Sequence, residues 1–428
     1  MTTSLKDDRS AALYTRALGV LPGGVNSPVR AMRSIGRDPL FADRAEGAEL
    51  LDVDGNRYVD YVCSWGPLIH GHAHPVIVEA VTKAAERGTT FGVATEGEVQ
   101  LAETIAERMP AVSMSRMTSS GTEAAMSAIR LARAATGREK LLKFSGAYHG
   151  HLDGLLAEAG SGLATAAQPS SPGVPAAATA NTTIIGWNDR EALAAALDAH
   201  EFAALLAEPW PGNMGLVPPE AGFLEALREG ATANGALLVF DEVISGFRVA
   251  PGGAQELSGV LPDLTAMGKV VGGGLPAAAY GGSVDLMNRI APAGDVYQAG
   301  TLSGNPVAVA AALASFSMLD IAAYERLAAT TQALAEGLRE AAGTRPVQVH
   351  HTCGLLTVFF SEEPVTDYAS AARSDLDAHA AWCRALLARG VYPPPSQFEC
   401  WFPSLAHTPE HVTRTLEAAA AAFAEVAG

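Results

Sequence analysis

Two residues in this chain stand where chemistry is done before any fold is assigned. Asp241 closes the apolar run Leu237–Phe240, and Lys269 follows a second apolar segment, Leu264–Met267, with three glycines at 272–274. Short apolar runs bounded by turns read as buried strands. Parallel strands deliver their C-terminal ends to one crevice, where open α/β sheets bind ligands. An amine and a carboxylate meeting there suit a pyridine cofactor held as a Schiff base. The lysine condenses with the aldehyde, and the carboxylate keeps the ring nitrogen protonated so that the ring draws electrons. A strand-end carboxylate and a surface lysine explain the same pair, and the pair alone does not choose.

Other segments add to it. Ser119-Ser120-Gly121-Thr122-Glu123 follows a predicted strand and opens a helix, so free backbone N–H groups and the helix dipole offer a seat for a phosphate. An ordinary Thr N-cap with an acid in the first turn accounts for the same letters. Tyr148, in YHGH after another strand end, suits stacking on a planar ring or plain packing. Arg30, after Asn26-Ser27-Pro28, sits in a rigid turn where a guanidinium can fork onto a carboxylate or stay solvated. Neither Gly268-Lys269 nor the 272–277 glycine run completes a P-loop or dinucleotide motif, since Asp263, Val270 and Pro276 break the patterns. His70, His72 and His74 lie in a Gly/Pro loop without a neighbouring carboxylate, and no metal site is expected.

The elements that must position these residues alternate. Helices are predicted near 99–108, 122–135, 190–200 and 223–234, with strands near 113–118, 140–144, 203–207, 237–240 and 264–267. That alternation predicts an α/β fold with a mainly parallel central sheet flanked by helices. Asp54-Gly55 between two alternating runs predicts a hairpin. After a helix starting at Pro306, the chain reads as a smaller α+β domain, with helices near 324–341, 377–389 and 409–427 and strands at 353–360 and 399–402. The expected organisation is an N-terminal segment (1–60) contributing to the small domain, a large domain (61–310) and a C-terminal small domain (311–428). Residues 151–181, rich in Ala, Gly, Ser and Pro, form a connection long enough to be a lid.

Composition sets the boundaries. The chain has 428 residues, nearly half of them hydrophobic, and a formal net charge of −17. Nucleic acid and anionic membranes need a basic footprint and are not expected partners. The uncharged run 296–319 is broken by Gly304-Asn305-Pro306 and reads as a buried helix rather than a span. The four cysteines are scattered without C-x-x-C spacing, and the start MTTSLKDDRS has no apolar h-region. Reduced thiols in a cytoplasmic protein are expected.

Taken together, the chain resembles the class III aminotransferase group of pyridoxal-phosphate enzymes, of fold type I, and within it the glutamate-1-semialdehyde 2,1-aminomutase family. The matching motifs are PGGVNSPVRA (22–31), SWGPLIHGHAHP (64–75), SGTEAAMSAIRLAR (120–133), KFSGAYHGH (143–151), GNMGLVPPE (212–220), FDEVISGFRVAPGGAQ (240–255), DLTAMGKVVGGGLP (263–276) and QAGTLSGNP (298–306). The lysine and its upstream D-E-V are shared widely across class III, whereas PGGVNSPVRA and GTLSGNP point more narrowly.

The resemblance implies that Lys269 forms the Schiff base and later moves protons, and that Asp241 pairs with the pyridine nitrogen. Tyr148 and Val243 would flank the ring, with Asn213 near its phenolic oxygen and Glu208 at the cofactor edge. Ser120, Gly121 and Thr122 would hold the phosphate, with Thr301 reaching in from the neighbouring subunit of a homodimer. Arg30, Trp65, Ser161 and Glu399 would receive a small-molecule substrate, and 151–181 would gate it. The implied reaction starts from pyridoxamine 5'-phosphate, gives its amine to glutamate-1-semialdehyde, and recovers the other amino group from a diamine, leaving 5-aminolevulinate for tetrapyrrole synthesis. A lid is needed because escape of the diamine strands the cofactor as pyridoxal 5'-phosphate. Ser119, Trp210-Pro211 and Cys400-Trp401 depart from the family pattern, and they leave open an ω- or β-amino-acid aminotransferase with separate donor and 2-oxo acid acceptor.

Overall fold

The computed structural model of the chain describes residues 5–157 and 171–426. After the helix Asp8–Leu18, strands β1 (Ala42–Glu46), β2 (Glu49–Asp52) and β3 (Arg57–Asp60) form an antiparallel meander. The turn between β2 and β3 is closed by the Asp52 carboxylate, which accepts the N–H groups of Asp54 (3.0 Å) and Asn56 (2.8 Å), with Gly55 in the left-handed region. This is the expected hairpin, and an Asx turn supplies its chemistry.

The large sheet holds β4 (Met114–Thr118), β5 (Leu141–Phe144), β6 (Thr182–Ile185), β7 (Ala204–Ala207), β8 (Leu237–Glu242), β9 (Leu264–Met267) and β10 (Ala278–Gly282), in the order β4-β10-β9-β8-β7-β5-β6. All neighbours are parallel except β10, which runs antiparallel to both β4 and β9. Its sequence, AAYGG, has no β-branched residue, so nothing in it announces a strand. Its glycines are required by close approach: a methyl on Gly281 would lie 2.5 Å from Val112 Cγ1, and one on Gly282 would lie 2.5 Å from the Asp263 carbonyl. On one face, Phe144, Trp187 and Phe223 meet edge-on at 4.9–5.8 Å. Each such pair adds about 0.5–1.5 kcal/mol beyond area burial.

The helix Pro306–Phe316 starts at the expected proline, capped by Asn305, whose side chain accepts the N–H of Val307 and Ala308. It has 11 residues, and among the described residues no single helix is long and apolar enough to cross a membrane. The remainder holds β11 (Gln348–Thr352) paired with β12 (Leu355–Phe359), and β13 (Val391–Tyr392). β13 pairs in parallel with β3, so the two ends of the chain share one sheet. They also share one core, in which Met32, Ile35 and Tyr58 pack with Leu334, Trp382 and Phe423.

The strand expected at 399–402 is not formed. Trp401 exchanges both backbone bonds with Leu356, but Phe402 N–H turns to the Tyr61 carbonyl and Pro403 has no N–H to give. The segment bridges two elements instead of extending a ladder.

Candidate active site

Register places the central pair. Asp241 lies opposite Ala266, and Glu242 opposite Met267, at the C-terminal ends of β8 and β9. Lys269 follows two residues past β9, with φ of +48°, a left-handed conformation that costs a non-glycine residue on the order of 1–2 kcal/mol. Such strain persists only where the surroundings over-determine it. The lysine is half-buried, and among the described residues its amine makes no hydrogen bond. Burial pushes the amine below the ordinary lysine range. The carboxylates of Glu399, Asp241 and Glu208 oppose that shift, and the Arg248 cation adds to it.

Asp241 is 5% exposed. One oxygen accepts the Val243 N–H (3.0 Å), and the other meets His149 Nδ1 at 2.8 Å. The His149 ring is fully buried, and its Nε2 has no partner among the described residues. Sequence reasoning passed over His149, although its place between an aromatic and a glycine at a strand end was visible. Gly150 lets this segment reach the phosphate seat: a methyl there would lie 2.5 Å from Thr122 Oγ1 and 2.6 Å from Thr122 Cα.

The helix Gly121–Thr136 begins with Ser120 as N-cap, not Thr122. Glu123 completes a capping box and accepts the N–H groups of Ser119 (2.6 Å) and Ser120 (3.1 Å). The N–H groups of Gly121 and Thr122 make no hydrogen bond among the described residues, so two donors at the positive end of a 16-residue helix stay available to an anion. Val243 wedges between this turn and the lysine turn: a methyl on Gly121 would lie 3.0 Å from it, and one on Gly268 would lie 3.2 Å away.

Glu208 is 3% exposed and fully engaged. It accepts the N–H of Tyr148 (2.8 Å) and Gly212 (3.0 Å) and the Asn213 side-chain amide (2.8 Å). Burial pushes its carboxyl above the usual range. Burial raises the Tyr148 phenol too, helped by Asp241 and Glu399 and opposed by the Thr122 hydroxyl. The half-buried Glu399 therefore acts on both Tyr148 and Lys269.

Trp65 arrives on an unusual turn. Cys63, Ser64, Trp65 and Gly66 have φ of +44°, +57°, +69° and +108°, four left-handed residues in succession. A methyl on Gly66 would lie 3.2 Å from Lys269 Cδ, so this turn abuts the lysine stem. Lys269, Asp241, Glu208, Asn213, Val243, Tyr148, Glu399 and the 120–122 turn thus form one neighbourhood, with the Trp65 turn at its edge. Arg30 and Thr301 are exposed and hydrogen-bond none of these. Ser161, with residues 158–170 of the expected lid, lies outside the described residues.

Two of the bulky departures pack into cores. Trp401 is 2% exposed, against Tyr61 (5.0 Å) and Trp382 (5.7 Å). Trp210 sits between the large-sheet core and the cluster around Cys63, Cys400 and Phe402. His70, His72 and His74 do not converge on one point: His70 meets the Ser315 carbonyl and His72 meets Asp60.

Among the described residues, an amine without hydrogen bonds, a buried His-backed carboxylate and a helix terminus with two unused amides fit pyridoxal phosphate's aldehyde, ring nitrogen and phosphate. The comparisons agree. Residues 32–422 match the family model described as aminotransferase class-III. A glutamate-1-semialdehyde 2,1-aminomutase from Desulforudis audaxviator (strain MP104C) is 55% identical, covering 97% of each chain. Among solved structures, an omega-transaminase from Sphaerobacter thermophilus superposes with a TM-score of 0.90 at 36% identity, covering 98% of each chain. A variant of a glutamate-1-semialdehyde-aminomutase from Pseudomonas aeruginosa PAO1, in complex with PMP, gives 0.87 at 28% identity, covering 98% of this chain and 95% of that one. The chain belongs to the class-III aminotransferases, of fold type I, and within them to the glutamate-1-semialdehyde 2,1-aminomutase family.

Proposed function

We propose that this protein converts glutamate-1-semialdehyde to 5-aminolevulinate by intramolecular amino transfer, a step of tetrapyrrole biosynthesis. The observation that carries this reading is 55% identity over nearly the full length of an aminomutase, against 36% for the omega-transaminase. Pyridoxal or pyridoxamine 5'-phosphate, when bound, supplies the electron-drawing ring and the carbon that carries the amino group. The chain's residues do the rest. The Gly121 and Thr122 amides and the helix dipole hold the phosphate, and Asp241, backed by His149, fixes the proton on the ring nitrogen. Lys269, with its depressed amine, takes and returns protons at the substrate carbons. Tyr148 and Val243 would hold the ring between them, and Asn213, whose amide donates to Glu208, would meet it. Arg30 would receive the substrate carboxylate, with Trp65 and Glu399 beside it.

An aminotransferase would need a cation for its 2-oxo acid. Among the C-terminal arginines, Arg384 is bound to the Ile35 carbonyl (2.6 Å), Arg389 to Glu425, and Arg414 to Glu49 (2.8 Å). The test is to supply glutamate-1-semialdehyde without any 2-oxo acid and follow 5-aminolevulinate. Sustained turnover is expected. Absence of product, with amino transfer from another donor to a 2-oxo acid, sinks the reading.

A homodimer with shared sites belongs to the same proposal. Thr301 is exposed, beside the exposed apolar residues Tyr297 and Leu302, and Phe91 and Val93 are exposed as well. Mixing Thr301→Ala with Lys269→Ala chains should restore about a quarter of wild-type turnover, since half the dimers are mixed and each keeps one intact site. No recovery beyond the Thr301→Ala contribution would mean that Thr301 serves its own chain. A reducing, cytoplasmic setting completes the proposal, supported by four free cysteines, three of them buried.

A further inference from the structure

The left-handed turn Cys63–Gly66 is held at both ends. At its start, the Asp60 carboxylate accepts the N–H of Val62 (2.7 Å) and Cys63 (3.2 Å), and His72 Nε2 steadies that carboxylate at 2.6 Å. At its end, the Gly66 carbonyl accepts a hydrogen bond from Arg248 Nη2. Arg248 is 0% exposed, and among the described residues no carboxylate pairs with it. Its Nη1 donates to the carbonyls of Gly354 (3.1 Å) and Pro403 (3.2 Å), and its guanidinium carbon lies 5.3 Å from the centre of the Phe402 ring. Gly354 makes room for it, and Gly66 makes room for the Phe402 ring on which it rests. A methyl on Gly66 would lie 2.8 Å from the Phe402 ring, and one on Gly354 would lie 3.3 Å from Arg248 itself.

The approach of Arg248 is itself constrained. Phe247 precedes it with φ of +57°, its carbonyl accepts the Tyr324 hydroxyl at 2.8 Å, and its ring meets Phe316 edge-on at 4.8 Å. Among the described residues this buried cation is answered only by carbonyls and a ring face, which is expensive in solvation. A planar fork with five donors is what three carbonyls from separate segments require, and an ammonium cannot reproduce it. Burial pushes the guanidinium down to about 10, which leaves it charged at neutral pH.

We propose that Arg248 is a positioning residue that latches the strained Trp65 turn to the β11–β12 turn and the 399–403 segment, so that Trp65, Glu399 and the Lys269 stem form one substrate-facing wall. The inference rests on reading Trp65 and Glu399 as lining the substrate pocket. Gly66 touches the lysine stem and Phe402 at once, Phe402 follows Glu399 in the chain, and Arg248 is the group that spans all three segments. Release of this contact leaves the end of the turn held only by its own backbone bonds, from Trp65 N–H to the Val62 carbonyl (2.8 Å) and from Gly66 N–H to the Cys63 carbonyl (3.1 Å), so Trp65 gains freedom to move.

The test uses the holoenzyme with Arg248→Lys. Its readouts are cofactor occupancy by absorbance, KM and kcat for glutamate-1-semialdehyde, and acrylamide quenching of Trp65, taken as the difference from the same protein carrying Trp65→Phe. Cofactor occupancy should hold, KM should rise about tenfold with kcat changed much less, and Trp65 quenching should increase. Combined with Trp65→Phe, the Arg248→Lys change should add little further to KM, because both act through the same side chain. Unchanged Trp65 quenching beside a lowered melting temperature would overturn the latch and leave Arg248 a structural residue. If Trp65→Phe alone leaves KM unmoved, the pocket reading of Trp65 fails, while quenching still decides the latch. Should Arg248→Lys not fold, quenching is read in Tyr324→Phe, which frees the Phe247 carbonyl that aims Arg248; an increase supports the latch and no change overturns it.

Discussion

Lys269→Ala is expected to lose the absorption band of lysine-bound pyridoxal phosphate and to lower turnover by at least about a thousandfold, the scale of a removed general acid–base group. No other amine in the neighbourhood replaces it. The surroundings of Lys269 are carboxylates (Glu399, Asp241, Glu208) and a guanidinium (Arg248) that stays charged. The lysine also carries a stability signature that separates its chemistry from its fold. Burial lowers its amine in the folded state relative to the unfolded chain. A group shifted this way costs stability in full below its folded value, and the cost fades as pH rises through the ordinary lysine range. Cofactor-free Lys269→Met should therefore melt above the cofactor-free wild type at neutral pH, with the gap closing toward about pH 11. Thermal melts across that range check the sign; a gap that widens with pH would contradict the buried amine.

Asp241→Asn is expected to lower kcat by about 10²–10³, the usual cost of removing one preorganised electrostatic partner from a site. The amide keeps the shape but not the charge that holds a proton on the ring nitrogen. The backing histidine makes the site more sensitive than an exposed carboxylate would be. Among the described residues His149 has no partner on Nε2, so Asp241→Ala removes the bond to its ring and should cost about 1–3 kcal/mol of stability. Denaturant melts of the cofactor-free protein isolate that term, and cofactor titration with steady-state kinetics reads the catalytic one. An Asn variant that keeps wild-type turnover, with the loss confined to the Ala variant, would show that shape, not charge, is what Asp241 contributes.

Both residues were visible as letters, and local physics explains why. Strand ends, helix starts and caps are set by neighbours within a few positions. Asp241 and Lys269 stand out as polar residues closing apolar runs, and the 120–123 turn stands out as small residues opening an amphipathic helix. The α/β class follows from the same local periodicities, together with the resemblance that eight motifs carry. The strand at 399–402 failed because two partners far away in the chain, Leu356 and Tyr61, divide its backbone bonds.

What the sequence alone determined was the set of reacting groups and the class of scaffold, since these depend on residue type and short-range pattern. What only the tertiary structure decided depends on residues that meet across long separations. His149 finds Asp241 across 92 positions, and Arg248 finds Gly66 across 182. The antiparallel AAYGG strand exists because two neighbouring strands need a backbone they can approach closely, a demand that small residues satisfy without signalling it. The left-handed Trp65 turn has a local cause at only one end, where Asp60 accepts the Val62 and Cys63 N–H groups. It is tolerated because Asp60 at one end and Arg248 at the other hold a conformation that the four residues by themselves would abandon.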